Sequence, residues 1–390
     1  MIIFNSYLGA PTELAKKDIY DIYVCGVTPY DTAHVGHAAT FTYFDTLIHH
    51  IEHNLGSEVN YVQNITDIDD SIIARAKETN QDIFELAKSQ TSKLAVSMQR
   101  LGLRKPNKMP TVSGKMTEII ESAHVLQKND FLYELDDNWY FDYSKTVDRL
   151  PSLPVDNATL MKIFDSRGGN SKLAGKRNPL DFIVWQKSLE GEPSYDSPLG
   201  KGRPGWHIEC TAMLLDEFGK EIDIHGGGED LKFPHHTSEI AQNIGLGNQS
   251  VAKIWMHTGS VNFFGEKMSK SLGNMIYVDE LIGKYPSGAI KIAILTNHYI
   301  NGFSWSKKLI DESNEFYKKI EQAHAAQVGK KTLTDAVSKA RIIQYLNDDL
   351  DTPGALRFLE DSCDDAIIMH DQSEVSNIFA MCEALKIEII

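Results

Sequence analysis

Cysteine is scarce in this chain: Cys25, Cys210, Cys363 and Cys382 are the only four among 390 residues, too few to read as a disulfide framework. Reduced thiols, available as metal ligands, are the better reading. Positive charge is in deficit as well, with 39 Lys and Arg against 54 Asp and Glu and a formal net charge of −15, which disfavours an extended nucleic-acid footprint at the level of totals. No run of 18 apolar residues occurs, and Asn5 with the charged stretch from Glu13 to Asp18 leaves no signal-peptide pattern. The expected compartment is the cytoplasm, with no membrane partner. Internal repeats and low-complexity tracts are also missing. What remains is an ordinary globular composition, in a chain long enough for two or three domains with sizeable cores.

Strand-like runs followed by helical ones recur early. Ile19 to Val24 reads as a strand, and Phe41, Phe44, Leu47, Ile48, Ile51 and Leu55 then recur at helical spacing before a second strand at Val59 to Gln63. This alternation predicts an α/β fold with a doubly wound parallel sheet. Residues 71 to 103 read as one or two helices. From Pro106 to Pro198 seven prolines punctuate shorter elements, and strand character returns at Ile222 to His225 and Trp255 to Val261. After Pro286 the chain reads as all-helical, with a helix stop and restart at 348–353 capped by Asp351 or Thr352. The expected organisation is a first half of a Rossmann-like catalytic domain at 1–105, an inserted segment at 106–200, the second half at 201–285 and a C-terminal helical domain at 286–390.

Two short strings carry the chemistry. His34-Val35-Gly36-His37 follows a strand and the glycine-bearing turn Cys25-Gly26-Val27-Thr28 and opens a helix. Unpaired N–H groups and the helix dipole there make a phosphate cradle, and the two histidines can add donors as charge builds at an α-phosphorus. Lys267-Met268-Ser269-Lys270-Ser271 puts two lysines on a loop suited to closing over a leaving pyrophosphate. Each string alone is a weak match; together they describe activation of a carboxylate by ATP.

A second constellation is Cys25, Cys210, His235 and Glu239. His235 and Glu239 are four apart and share a face if Pro234 opens a helix, and two thiolates, an imidazole and a carboxylate are a sound zinc set. No compact CxxC spacing supports it, and cysteines are usually small buried hydrophobes, so both readings stand. Gly226 to Gly228 followed by Glu229 and Asp230 suit close backbone approach to a nucleotide with a carboxylate near its ribose, or form a plain turn. Trp206 is by base rate a core residue. His225, His236 and His257 read equally as cleft lining or as ordinary partly buried histidines. Asp67, Asp69 and Asp70 read as a solvated turn or helix cap before a cation site.

The strings resemble the two signature motifs of class I aminoacyl-tRNA synthetases. Cys25-Gly26, "NITDIDD" at 64–70, "GRPGWHIEC" at 202–210, "HGGGEDLKFPHH" at 225–236 and "KMSKSLGN" at 267–274 narrow the resemblance to the cysteinyl branch, nearly end to end. That branch holds cysteinyl-tRNA synthetases and the ligases of mycothiol biosynthesis, which join cysteine to the amine of glucosaminyl-inositol. "CGVTPYDTAHVGHAATF" at 25–41 and "SRGGNSKLAGKRNPLD" at 166–181 look like the ligases, with Asn170 and Ser171 as departures. The chain also closes soon after "YLNDDLDTPGAL" at 345–356, where the synthetases ordinarily continue into a longer anticodon-binding region. Glu239 and His225 look like the synthetases instead.

The resemblance implies one Zn2+ per chain on Cys25, Cys210, His235 and Glu239, and ATP with Mg2+ as co-substrate. It implies His34, His37, Lys267 and Lys270 as catalytic residues. Cys25, Gly26, Val27, Thr28, Thr40, Asn64, Ile65, Thr66, Trp206, Gly228, Glu229, Asp230 and Val261 are the implied nucleotide and adenylate lining. The expected function is AMP-forming ligation of L-cysteine to glucosaminyl-inositol; tRNA becomes the partner only under the synthetase alternative. A third reading, a non-catalytic sensor of cysteine or nucleotide, sits poorly with both histidines and both lysines being present.

Overall fold

A computed structural model describes residues 1–263 and 275–369, residues 375–389, and the backbone of 266–267. Lys270 and the rest of 268–274 therefore lie outside the described residues, and Lys267 is placed as a strand residue only. Four strands form the central sheet: β1 (Ile19–Val27), β2 (Glu58–Ile65), β3 (Ile222–Gly228) and β4 (Ala252–Thr258). They run parallel in the order β4-β3-β1-β2, so the fold is the α/β class that the alternation of strands and helices predicts. Their near-continuous apolar runs follow from burial on both faces.

The alternation of side chains along β1 assigns each residue to a layer. Ile22 and Val24 enter a core shared with α1 (Val35–His49) and the C-terminal helices, whereas Tyr23 and Cys25 face the opposite core, which holds Ile208 and Cys210 of α2 (Trp206–Phe218). That second core extends to Phe141, Phe182 and Trp185 of a separate antiparallel sheet. Its strands are Leu132–Leu135, Asn138–Phe141, Phe182–Gln186 and Arg203–Pro204. The helix α3 (Thr237–Gly245) packs against α2 beneath the same face.

Residues 70–100 form two helices, Asp70–Thr79 and Ile83–Arg100, capped by Asp69 and Asp82. Past Pro286 come α4 (Ser287–Leu295), α5 (Lys307–Gln327), α6 (Asp335–Asn347), α7 (Thr352–Ile368) and α8 (Ile378–Ala384). Asp351 caps α7, accepting from Gly354 N. One strand interrupts this helical region: Phe303–Trp305 pairs in parallel with Val261–Phe263, which also pairs with Glu266–Lys267. Gly259 and Ser260 separate Val261–Phe263 from β4, so Trp255 to Val261 is two strands and not one.

Candidate active site

Cys25 sits where the pairing of β1 with β2 slips between Val24 and Val27. The slip brings Gly26 against β2, with its N–H donating to Asn64 Oδ1 at 2.9 Å, and a Cβ at Gly26 would lie 1.7 Å from Asn64 O. Only glycine permits that approach. The same irregularity leaves the Cys25 thiol at the carboxyl end of the sheet, where ligands of open α/β sheets bind. Cys210 Sγ lies 3.8 Å from Cys25 Sγ, and Glu239 Oε1 is 3.8 Å from Cys25 Sγ and 3.2 Å from His235 Nε2. One donor atom from each of these four residues falls within 4.8 Å of the others. All four are buried, and burial, followed by the neighbouring Cys210 and Glu239, pushes the Cys25 thiol well above its ordinary range. Two thiols and a carboxylate crowded out of water are poorly placed as bare anions and well placed around a divalent cation. The residues fit a zinc ion.

Histidines enclose this cluster. His236 Nε2 approaches Cys25 Sγ at 3.3 Å, and its Nδ1 is 2.7 Å from His257 Nε2, while His225 Nε2 lies 3.0 Å from Glu239 Oε2. Cys25, His225, His236 and Glu239 thus make a second set of donors within the same reach. His207 Nδ1 meets His235 Nδ1 at 2.9 Å, and burial pushes His207 down to about 3. Trp206 stacks on His235 at 4.3 Å, and Trp255 on His225 at 4.4 Å. Sequence reasoning left His225 and His236 undecided and passed over His207. Their signal was the density of histidine around two candidate ligands, which no spacing rule weighs. Glu209 went unread as well; it is buried beside Cys210, and its Oε2 accepts no hydrogen bond among the described residues.

The candidate phosphate cradle lies at the neighbouring strand ends. His34 caps α1, its Nδ1 accepting from Gly36 N at 3.1 Å, and its ring stacks on His37 at 3.8 Å. Burial, then the nearby His34, holds His37 well below the ordinary histidine range, so it is neutral. Thr66 N donates to Val27 O, Asn64 Nδ2 donates to Thr66 Oγ1 at 3.2 Å, and Val27 pairs with Ile65. Thr28 O accepts from Tyr30 N as the chain turns away. Thr40 and Thr258 share a hydroxyl bond at 2.9 Å, and Ser260 N donates to Glu229 Oε1 at 3.0 Å. Asp230 pairs with Arg167, Gly228 ends β3, and Val261 is buried at the start of the next strand. Residues just past 274 return to the cradle: Val35 N donates to Ile276 O and Val278 N to Ala33 O, at 2.9 and 3.0 Å.

Residues 12–315 match the family model described as tRNA synthetases class I (C) catalytic domain. The chain belongs to this family. Within it, the chain is 39% identical over 345 residues to the L-cysteine:1D-myo-inositol 2-amino-2-deoxy-alpha-D-glucopyranoside ligase of Rhodococcus erythropolis, covering 87% of this chain and 83% of the relative. The ligase of the same name from Gordonia bronchialis is 39% identical over 351 residues, covering 88% and 84%. The cysteine–tRNA ligase of Pseudoalteromonas translucida is 37% identical over 342 residues, covering 87% of this chain and 73% of that protein. Among solved structures, Mycobacterium tuberculosis methionyl-tRNA synthetase in complex with methionyl-adenylate aligns with a TM-score of 0.69 over 95% of this chain and 90% of that one. At 13% identity that likeness concerns the fold. Membership of the family makes the chain an ATP-dependent ligase. No helix among the described residues is long and apolar enough to cross a membrane.

Proposed function

We propose that the chain activates L-cysteine with ATP and transfers the cysteinyl group to the amine of glucosaminyl-inositol, releasing AMP. The observation that carries the first half is the convergence of Cys25, Cys210, His235 and Glu239 at the carboxyl end of β1, the strand whose chain leads on into the His34–His37 turn. A zinc ion held by those four residues would supply a soft Lewis acid that prefers a thiolate to a hydroxyl, and so cysteine to serine. His225 holds the second oxygen of Glu239, and Trp206 fixes the His235 ring by stacking. The substrate carboxylate attacks the α-phosphorus of ATP, which brings Mg2+ with it, and the bond to pyrophosphate breaks. In this reading Cys25 to Thr28 cradle the phosphates, and His34 and His37 donate to the charge that develops. Lys267 and Lys270 stabilise the departing pyrophosphate. Thr40, Asn64, Ile65, Thr66, Trp206, Gly228, Glu229, Asp230 and Val261 line the adenylate. The acceptor amine then attacks the acyl carbon, and the bond to AMP breaks.

The choice of acceptor rests on the names of several relatives and on the runs at 25–41 and 166–181. A second reading, charging of tRNA with cysteine, is favoured by the relative from Pseudoalteromonas translucida. The test is AMP release from purified protein with ATP and cysteine, comparing glucosaminyl-inositol with tRNA as acceptor. Stimulation by the amino sugar is expected; stimulation by tRNA alone overturns the assignment. Absence of cysteine-dependent pyrophosphate exchange would remove both activities and leave a non-catalytic binding role.

A further inference from the structure

The segment after residue 166 reaches the nucleotide end of the sheet from outside the sheet itself. The helix Asn157–Ser166 lies against the Lys232–His236 turn that carries His235. Beyond its last turn the chain doubles back, with Arg167 N and Gly169 N both donating to Phe164 O at 3.1 and 3.0 Å. Ser171 closes the loop, donating from N and Oγ to the Asp165 carboxylate at 2.6 and 2.7 Å. Gly168 has φ +87°, and a Cβ at Gly169 would lie 2.4 Å from the Phe164 ring, so the turn requires both glycines.

This turn presents Arg167 Nη1 to Asp230 Oδ2 at 3.1 Å. The other oxygen, Oδ1, is folded over Gly228, where a Cβ would stand 2.7 Å from it. Arg167 thus holds one oxygen of the carboxylate, while the bare end of β3 leaves room for the other. Side-chain exposures of 30% and 36% mean that the pair adds little to global stability. A turn built this closely around a weakly stabilising ion pair points to a local task.

We propose that Arg167 is a positioning residue for the nucleotide: it holds Asp230 in the orientation that meets the ribose of ATP, so that the inserted segment completes the adenylate site. This rests on the reading that Asp230 contacts the nucleotide. Removing an ion pair at a part-exposed position costs up to about fivefold in apparent affinity. Arg167→Ala is therefore expected to raise the KM for ATP in cysteine-dependent pyrophosphate exchange by up to about fivefold, with kcat changed much less and the melting temperature unmoved. Arg167→Lys restores part of the loss, since it keeps the charge without the planar fork. Asp230→Asn raises the same KM, and the double variant is no worse than the more impaired single one.

The outcomes separate the two claims. If Asp230→Asn raises the KM and Arg167→Ala leaves it at the wild-type value, or if the two effects multiply, the positioning role is overturned and the role of Asp230 survives. If Asp230→Asn leaves the KM unchanged, the reading of Asp230 falls and the proposal falls with it.

Discussion

His37 is half-buried at the first turn of α1 with its Nδ1 unpartnered among the described residues, and desolvation with the neighbouring His34 pushes its pKa well below the ordinary histidine range. A neutral imidazole fixed by stacking on His34 can donate to a developing phosphorane without the desolvation cost of an imidazolium. His37→Ala is expected to lower cysteine-dependent pyrophosphate exchange by about 10²- to 10³-fold, the size of one lost transition-state donor. An effect confined to KM would mean that the ring merely binds ATP. Cys25 is the sharpest probe of the metal, because it and Glu239 belong to both donor sets whereas Cys210 belongs to one. Cys25→Ala should lower zinc affinity by more than the roughly 10- to 100-fold that loss of an outer partner costs. Elemental analysis after dialysis reads this directly, and stoichiometric zinc in the variant would sink the metal assignment. Cys210→Ala distinguishes the two sets: it empties the site if the thiolate pair holds the ion, and spares it if His225 and His236 can take over.

Elements whose side chains repeat with a clean period are legible from the sequence. β1, β2 and α1 show their burial in their spacing, and Asp351 with Pro353 announces a helix start by capping chemistry alone. The strand Phe303–Trp305 was not legible, because three residues carry no period and its stability comes from pairing with Val261–Phe263 far back in the chain. The gathering of Cys25 and Cys210 is left open by the residues alone, which allow both a metal site and buried hydrophobes, since it depends on which face of β1 meets α2; the family resemblance is what points to it. One element hides a titration. The chain continues α1 through His49 and His50, which pin it to the C-terminal helices: His49 Nε2 lies 2.7 Å from Glu383 O, and His50 Nε2 is 3.1 Å from Asn347 Oδ1. Asn54 Nδ2 donates to His50 Nδ1, so the ring is held as the neutral Nε2–H tautomer. Burial pushes both histidines down to about 4 from an unfolded value of 6.5. Between those values the unfolded chain binds protons that the folded chain refuses, so stability falls as pH drops through that window and is level above it. For His50 this is worth on the order of 1–3 kcal/mol. Urea unfolding at neutral pH and at the lower end of the window should show a shallower loss for His50→Gln, which keeps a donor and an acceptor without the titration. An unchanged slope would assign the acid sensitivity elsewhere.

At the scale of the molecule, the candidate site draws on stretches that never meet in sequence, and the sheet decides which of them meet at one end. Cys25 and Gly26 come from β1, Asn64 and Ile65 from β2 with Thr66 just past its end, Gly228 to Asp230 from the end of β3, and Cys210 and Glu239 from helices against the same face. The first signature string is joined more directly to the chain past residue 274. Val35 N to Ile276 O and Val278 N to Ala33 O form a short antiparallel bridge, with His34 opposite Tyr277, between the cradle and the chain that follows Lys267 to Ser271. If this bridge sets where that chain leaves the site, weakening it should slow activation without touching any group that contacts substrate. Val278→Pro is suited to the purpose. Val278 opens a short helix, Val278–Ile282, at the position proline prefers, and Tyr277 before it is already extended, at φ −87° and ψ 138°. The substitution deletes the donor to Ala33 O and trims a buried side chain, at a stability cost of about 1 kcal/mol. Pyrophosphate exchange in this variant is expected to fall about tenfold in kcat, the equivalent of one backbone hydrogen bond's free energy, with the KM for cysteine unchanged. Thermal unfolding run alongside separates this from damage to the fold. A variant that melts near the wild type and exchanges at the wild-type rate would reduce the bridge to packing.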